Sequence, residues 1–294
     1  MKYQLFSDSC VDIPHSLAVE LELEVLPLKV TVKGKEYANY LDFREIEPKV
    51  FYDLLREQNT ASTAQLNPND FVESFTPFLE KGYDILHLSF SSALSGSYNS
   101  SLIAKKELEE KYPERKIEII DTLAASMGQG LLVTLAAREK QNGKSLEDLK
   151  NYVIDLRLRI SHLFTVSDLG HLRRGGRLSA SSMVLGNLLN IKPLLHVNDL
   201  GQLKVYEKSR GRFKSLNSLV HRMEETIDKE NCKLIYISHG DCLEDAIYVR
   251  DLVKDKLGFK DDQFLINPIG PVIGAHSGVN TLAIFYIGNE RETK

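Results

Sequence analysis

Seven serines fall within the thirteen residues SFSSALSGSYNSS, from Ser89 to Ser101, and Gly96 sits beside Ser95. The run Asp84-Ile85-Leu86-His87-Leu88 before them reads as a strand, and Tyr98, Leu102 and Ile103 after them recur at helical spacing. A hydroxyl-rich loop entering a helix N-terminus gathers free backbone N–H groups, side-chain donors and the positive end of a dipole in one volume. That volume suits an anion, either a phosphate or a carboxylate. Serines that only cap a helix at a polar turn fit the same letters.

Three further segments are rich in hydroxyl, glycine or basic residues. Thr60-Ala61-Ser62-Thr63-Ala64-Gln65 reads as a loop just ahead of Asn67. Arg173-Arg174-Gly175-Gly176-Arg177, with Ser179 behind it, reads as a flexible basic segment able to grip a phosphate or an acidic partner. Ile269 to Gly278 holds Gly270, Gly274 and Gly278 around His276, so backbone can approach a ligand while the imidazole donates or shuttles a proton. No Gly-x4-Gly-Lys-Ser/Thr P-loop is present, and the glycines at 170, 175 and 176 lack dinucleotide-binding spacing. A nucleophile elbow would read GxSxG, whereas Ser95 stands in Ala-Leu-Ser-Gly-Ser. Ser95 and His276 would still make a hydrolase or acyltransferase dyad if the fold joined them.

Alternating elements must position these segments. Extended runs at 3–7 and 24–32, broken at Pro27, precede an Asn67 N-cap with Pro68 at the first helical position. Phe71, Phe75, Phe78 and Leu79 then form a helical apolar stripe. A strand at 84–89, a helix at 97–111, a strand at 116–121 and a helix at 125–141 come next. Ser145 opens a further helix, with Leu149, Tyr152, Val153, Leu156 and Ile160 on its buried face. This rhythm predicts a parallel α/β sheet. Beyond about 160 it changes: a helix over 180–189, strands at 193–197 and 202–207 around the turn Asn198-Asp199-Leu200-Gly201, and helices at 213–228 and 244–257. Strands at 233–238, 263–267 and 281–287 complete a second, α+β unit, so the expected division is 1–160 and 161–294.

The chain has 294 residues, 43% of them hydrophobic and 27% charged, enough for one large globular domain or two ordinary ones. Its net charge of -4 supplies no basic field for nucleic acid. No apolar run reaches the roughly 18 residues of a membrane span, and MKYQLFSDSC lacks the apolar core of a secretory signal. Cys10, Cys232 and Cys242 are scattered and form no metal motif, so a reduced, cytoplasmic protein is expected.

The order of the segments resembles the DegV family of bacterial fatty-acid-binding proteins over almost the whole chain, about residues 3–288. The resemblance rests on Ser7-Asp8-Ser9, Thr63-Ala64-Gln65 with Asp70-Phe71, Ser91-Ser92-Ala93-Leu94-Ser95-Gly96-Ser97-Tyr98, and Asp121-Thr122. Arg174-Gly175-Gly176-Arg177-Leu178-Ser179, Ile191-Lys192-Pro193 and Gly270 through Gly278 complete it. The family's Thr-Ser-Gln-Pro is Thr63-Ala64-Gln65-Leu66 here, and its His-Thr-Gly-Pro-Gly is His276-Ser277-Gly278-Val279-Asn280. The resemblance implies a two-domain α/β lipid-binding fold that is not itself an enzyme and needs no cofactor or metal. One long-chain fatty acid would be buried, with its carboxylate on Thr63 and Ser95, aided by Gly96 and His276 and with Ser62, Gly274 and Ser277 supporting the loops. The bound acid would be presented to a separate ATP-using fatty acid kinase, whose acyl phosphate feeds phospholipid synthesis. Arg173, Arg174, Arg177 and Arg210 are the expected docking residues for that kinase, and transient membrane contact is compatible with this role.

Burying about 14 methylenes at roughly 0.8 kcal/mol each gains near 11 kcal/mol before binding entropy and desolvation are subtracted. The carboxylate is the costly part, because a buried charge without partners is heavily penalised. Hydroxyl and backbone donors would satisfy it and leave it nucleophilic.

Overall fold

The computed structural model describes residues 2–167, 169–178 and 190–291. Ser179 and the helix expected over 180–189 lie outside the described residues.

Strands β1 (Tyr3–Asp8), β2 (Glu24–Leu26), β6 (Asp84–Ser89) and β7 (Ile117–Asp121) form a sheet in the order β2-β1-β6-β7, with every pair parallel. β1 and β6 are buried at every position, because crossover helices cover both faces of a parallel sheet. Those helices are α1 (His15–Glu20), α3 (Pro68–Glu80), α4 (Ser97–Lys111), α5 (Met127–Gln141) and α6 (Leu146–Leu156). α3 begins as its sequence dictates: the Asn67 side chain accepts from the backbone N–H groups of Asn69 and Asp70, and Asp70 returns the bond to Asn67 N. Its Phe71, Phe75 and Leu79 are buried, while Phe78 sits at the rim of the same stripe. α6 is capped by Ser145 on Asp148 N. It stops at Leu156, so Ile160 does not belong to its buried face as expected. A 3-10 turn over Arg157–Arg159 intervenes, and Ile160 opens a strand.

A small antiparallel sheet, β4-β3-β5, joins β3 (Lys29–Val32), β4 (Lys35–Ala38) and β5 (Ala61–Ala64), with α2 (Pro48–Arg56) between its last two strands. The segment expected as a loop before Asn67 is therefore mostly strand. Its small, half-polar residues give little periodic signal, and it is extended because β3 supplies a partner, pairing Val30 with Thr63.

The third sheet has the order β10-β9-β8-β13-β11-β12. It contains β8 (Ile160–Thr165), β9 (Ile191–Val197), β10 (Leu203–Arg210), β11 (Ile235–His239), β12 (Phe264–Pro268) and β13 (Leu282–Ile287), and only the β11–β12 pair is parallel. Asn198 closes the β9–β10 hairpin by accepting from Leu200 N and Gln202 N. Helices α8 (Arg212–Thr226) and α9 (Leu243–Leu257) pack on this sheet, while α10 (Pro271–Ser277) packs on β3 and β5 of the small sheet, on α2 and on the short α7 (Gly170–Arg174). The nearly fully buried α5 packs against the turn after β1 on one side and β8, β11 and β13 on the other. It thus joins the two larger sheets into one core.

Candidate functional site

The C-terminal ends of β1 and β6 face the inner surface of the six-stranded sheet across a cavity. Ligands of α/β folds commonly sit at such strand ends. Cys10, Phe90 and Leu94 come from the parallel sheet's connections, while Phe164, Ala283 and Phe285 come from the facing strands. Val272 and Ile273 of α10 close a third side. At one end the lining turns polar, with Thr63, Gln65, Ser95, Arg177 and His276.

Each of these groups is held by its own element. Thr63 sits on β5, and its hydroxyl lies 2.8 Å from His276 Nε2 on the last turn of α10. His276 Nδ1 is buried without a partner. An unpaired acceptor costs less than an unpaired N–H, so the proton belongs on Nε2, where it points at Thr63. Thr63 is then free to donate its own proton into the cavity. Burial first, and then the nearby charge of Arg177 and His171, lower the His276 pKa to about 4, so its imidazole is neutral near pH 7. Gly175 makes room for the ring, since a Cβ there would lie 2.1 Å from Nδ1.

Ser95 lies just ahead of α4, and its hydroxyl meets Ser97 Oγ at 3.0 Å. Ser97 also accepts from Leu66 N, and Gln65 reaches Ser100, so the end of β5 is stitched to the start of α4. Gly96 permits this contact, because a Cβ would meet Gln65 Oε1 at 2.0 Å. These bonds bring Thr63 and Ser95 to the same end of the cavity.

Arg177 is half-buried; its Nε donates to Leu94 O at 3.0 Å and its Nη1 to Gly175 O. It is a cavity-wall residue, unlike the exposed Arg173, Arg174 and Arg210 with which sequence grouped it. Ser62 points away from the cavity as an exposed residue of β5. Gly274 packs α10 against Tyr52 and Phe51 of α2, and Ser277 is buried on the lining. Among the described residues no hydrogen bond joins Ser95 to His276, so the dyad weighed from sequence is not formed; each has its own hydroxyl partner.

Sequence reasoning missed a second polar group. Asp12 accepts from Ser126 Oγ at 2.6 Å and from Gly270 N at 2.9 Å, and Ser126 meets Ser238 at 3.1 Å. Burial pushes Asp12 up to about 8, and Asp8, which accepts from Phe90 N and Cys10 N, up to about 6. Only the Ser7-Asp8-Ser9 motif hinted at this region. Among the described residues no cluster of His, Cys, Asp or Glu is placed to hold a metal, and no helix is long and apolar enough to cross a membrane.

The architecture is thus that of an α/β protein enclosing an apolar cavity with hydroxyl, imidazole and guanidinium groups at one end. The family model for DegV, described as uncharacterised proteins, matches residues 2–289. A DegV domain-containing protein of Clostridium perfringens is 45% identical over 291 residues, covering 99% of both chains. Among solved structures, a fatty-acid-binding DegV family protein from Thermus thermophilus superposes with a TM-score of 0.86 at 30% identity, covering 98% of this chain and 100% of that one. A fatty-acid-binding DegV family protein from Streptococcus agalactiae gives 0.84 at 29% identity, covering 99% and 100%. The chain belongs to the DegV family.

Proposed function

We propose that this chain binds one long-chain fatty acid, with the acyl chain in the cavity and the carboxylate at its polar end. One observation carries the reading: Thr63, Ser95, His276 and Arg177, drawn from four separate segments, converge on one end of an otherwise largely apolar cavity. The solved relatives named as fatty-acid-binding proteins support it. Thr63 and Ser95 donate to the carboxylate, with the backbone near Gly96 beside them. His276 orients Thr63, and Arg177 adds the positive potential that keeps the acid ionised. Ser95 and Thr63 are only half-buried, which leaves the head group within reach of another protein.

That second protein, in this reading, is an ATP-dependent fatty acid kinase that converts the presented acid to an acyl phosphate. The exposed Arg173, Arg174 and Arg210 give it an oriented encounter. Mass spectrometry of the intact protein and of its organic extract tests the binding step. One long-chain acid per chain is expected, and a delipidated protein that takes up none would sink the proposal. For the kinase step, charge reversal at Arg174 or Arg210 is expected to slow coupled turnover in a salt-sensitive way while affinity for the acid holds. Turnover indifferent to both reversals ends the docking assignment.

A further inference from the structure

The cavity has a second polar patch on its wall, away from the head-group residues. Ser126 and Ser238 both line it and are both buried, at 6% and 0% exposure. Their hydroxyls are 3.1 Å apart, and Ser126 Oγ is anchored on Asp12 at 2.6 Å. Ser126 holds a φ of 51°, a left-handed value that a non-glycine residue keeps only when its surroundings enforce it. Among the described residues Ser238 makes a single hydrogen bond with its side chain, to Ser126, although a hydroxyl can donate once and accept twice. An apolar tail gains nothing from such a group.

The length of α10 gives a scale for its distance from the head group. Asp12 also accepts from Gly270 N, at the start of that helix, and His276 lies six residues further on, about 9 Å along the axis. An extended acyl chain advances roughly 1.3 Å per carbon, so a chain laid along α10 would meet the serine pair near its eighth to tenth carbon once hydrogen-bond reach is added.

We propose that Ser238, backed by Ser126 and Asp12, hydrogen-bonds an oxygen substituent near the middle of the acyl chain, so that hydroxylated long-chain fatty acids are ligands of this cavity. This rests on the reading of the site as a fatty-acid pocket. A hydroxyl fits better than a ketone. When Asp12 is protonated, the proton order runs from Asp12 through Ser126, and Ser238 donates into the cavity. When Asp12 is ionised the order reverses, and Ser238 can only accept. A ligand hydroxyl answers both states, and a carbonyl only the first.

The test compares stearate, its 10-hydroxy derivative and its 10-oxo derivative by calorimetric titration of the delipidated full chain. A wall with no partner would weaken binding of the hydroxy acid by roughly ten- to a hundredfold. The parent protein is instead expected to bind it within about threefold of stearate, and to bind the oxo acid more weakly only above about pH 8, where Asp12 is ionised. Ser238→Ala should cost the hydroxy acid about tenfold and leave stearate unchanged, which also shows that the variant is folded. Ser277→Ala, nearer the head group, should shift both acids alike. Rejection of the hydroxy acid by a parent that binds stearate overturns this inference alone, as does an equal effect of Ser238→Ala on both ligands. Failure of the parent to bind any of the three overturns the fatty-acid reading with it.

Discussion

The two large sheets wall one cavity by different means. The parallel sheet contributes the connections beyond its strand ends: Cys10 after β1, and Phe90, Leu94 and Ser95 after β6. The six-stranded sheet contributes its face, through alternate residues such as His162 and Phe164 on β8 or Ala283 and Phe285 on β13. Connections and element ends can aim donors at a point, and in the proposed reading Ser95 from this region joins Thr63 of β5 and His276 of α10 around the head group. A pleated face offers a broad surface of fixed spacing, and the proposed reading lays the tail on it. In that reading the converging connections set the ligand's orientation and the pleated face sets what length and shape of chain is accepted.

The sharpest way to break that contrast is to remove a phenylalanine from each region. Phe75 on α3 is fully buried against Phe6, Phe71 and His87, with ring centroids 4.7 to 5.9 Å away. Phe75→Ala should cost about 3–5 kcal/mol of stability, read by denaturant unfolding, with fatty-acid affinity intact. Phe285, on the cavity wall edge-on to His162, opens onto space that already exists. Phe285→Ala should lose less stability and more affinity, with a shift toward bulkier or longer acids. If the two variants behave alike in both measurements, the cavity is not where the tail lies.

Next in size is the head group. Ser95→Ala, or Thr63→Val with its shape preserved, should weaken binding by about 1–3 kcal/mol, the range for a carboxylate that loses a buried partner. Unchanged affinity in both variants removes the carboxylate from this end. A smaller, more specific effect concerns the 2.8 Å Thr63–His276 contact. His276→Ala should weaken binding through Thr63, so it should add little once Thr63 is already valine. A double-mutant cycle is expected to show a coupling of about 0.5–1.5 kcal/mol, and additive losses would mean that His276 acts by itself.

Much of this arrangement is legible in the chain. The Asn67–Pro68–Asp70 start of α3, the run 84–89 and the Asn198–Gly201 turn carry local signals that tertiary structure did not override. Thr63, Ser95 and His276 stand out by type and glycine context, and the fold brings them together. Three features are not readable. β5 is extended because β3 pairs with it, a long-range cause that leaves no periodic trace in Ala-Ser-Thr-Ala. Arg177 resembles its exposed neighbours in composition, yet its partners, Leu94 O and Gly175 O, exist only in the fold. The link from Asp12 to Ser126 and Ser238 joins residues far apart in the chain, so no local pattern announces it.

The last contrast separates the two polar groups of the cavity by pH. Asp12 is pushed up to about 8 by burial, from near 3.9 in an unfolded chain, so between those values the native state holds more protons than the unfolded one. Its contribution to stability is therefore lost as pH rises toward 8, and Asp8, raised to about 6, acts in the same direction over the lower half of that range. His276, depressed to about 4, acts oppositely: its contribution is lost as pH falls below about 6.5. The window from about pH 6.5 to 8 thus belongs to Asp12. Across it the thermal midpoint of the delipidated parent should fall by about 2–5 °C, and that of Asp12→Asn should stay level. Asparagine retains an acceptor for Gly270 N and a donor for Ser126, so the variant keeps the bridge while losing the titration. Parallel curves for the two proteins would place the titrating group elsewhere. A level variant beside a falling parent would assign the slope to Asp12, because His276 at the mouth is already neutral throughout that window.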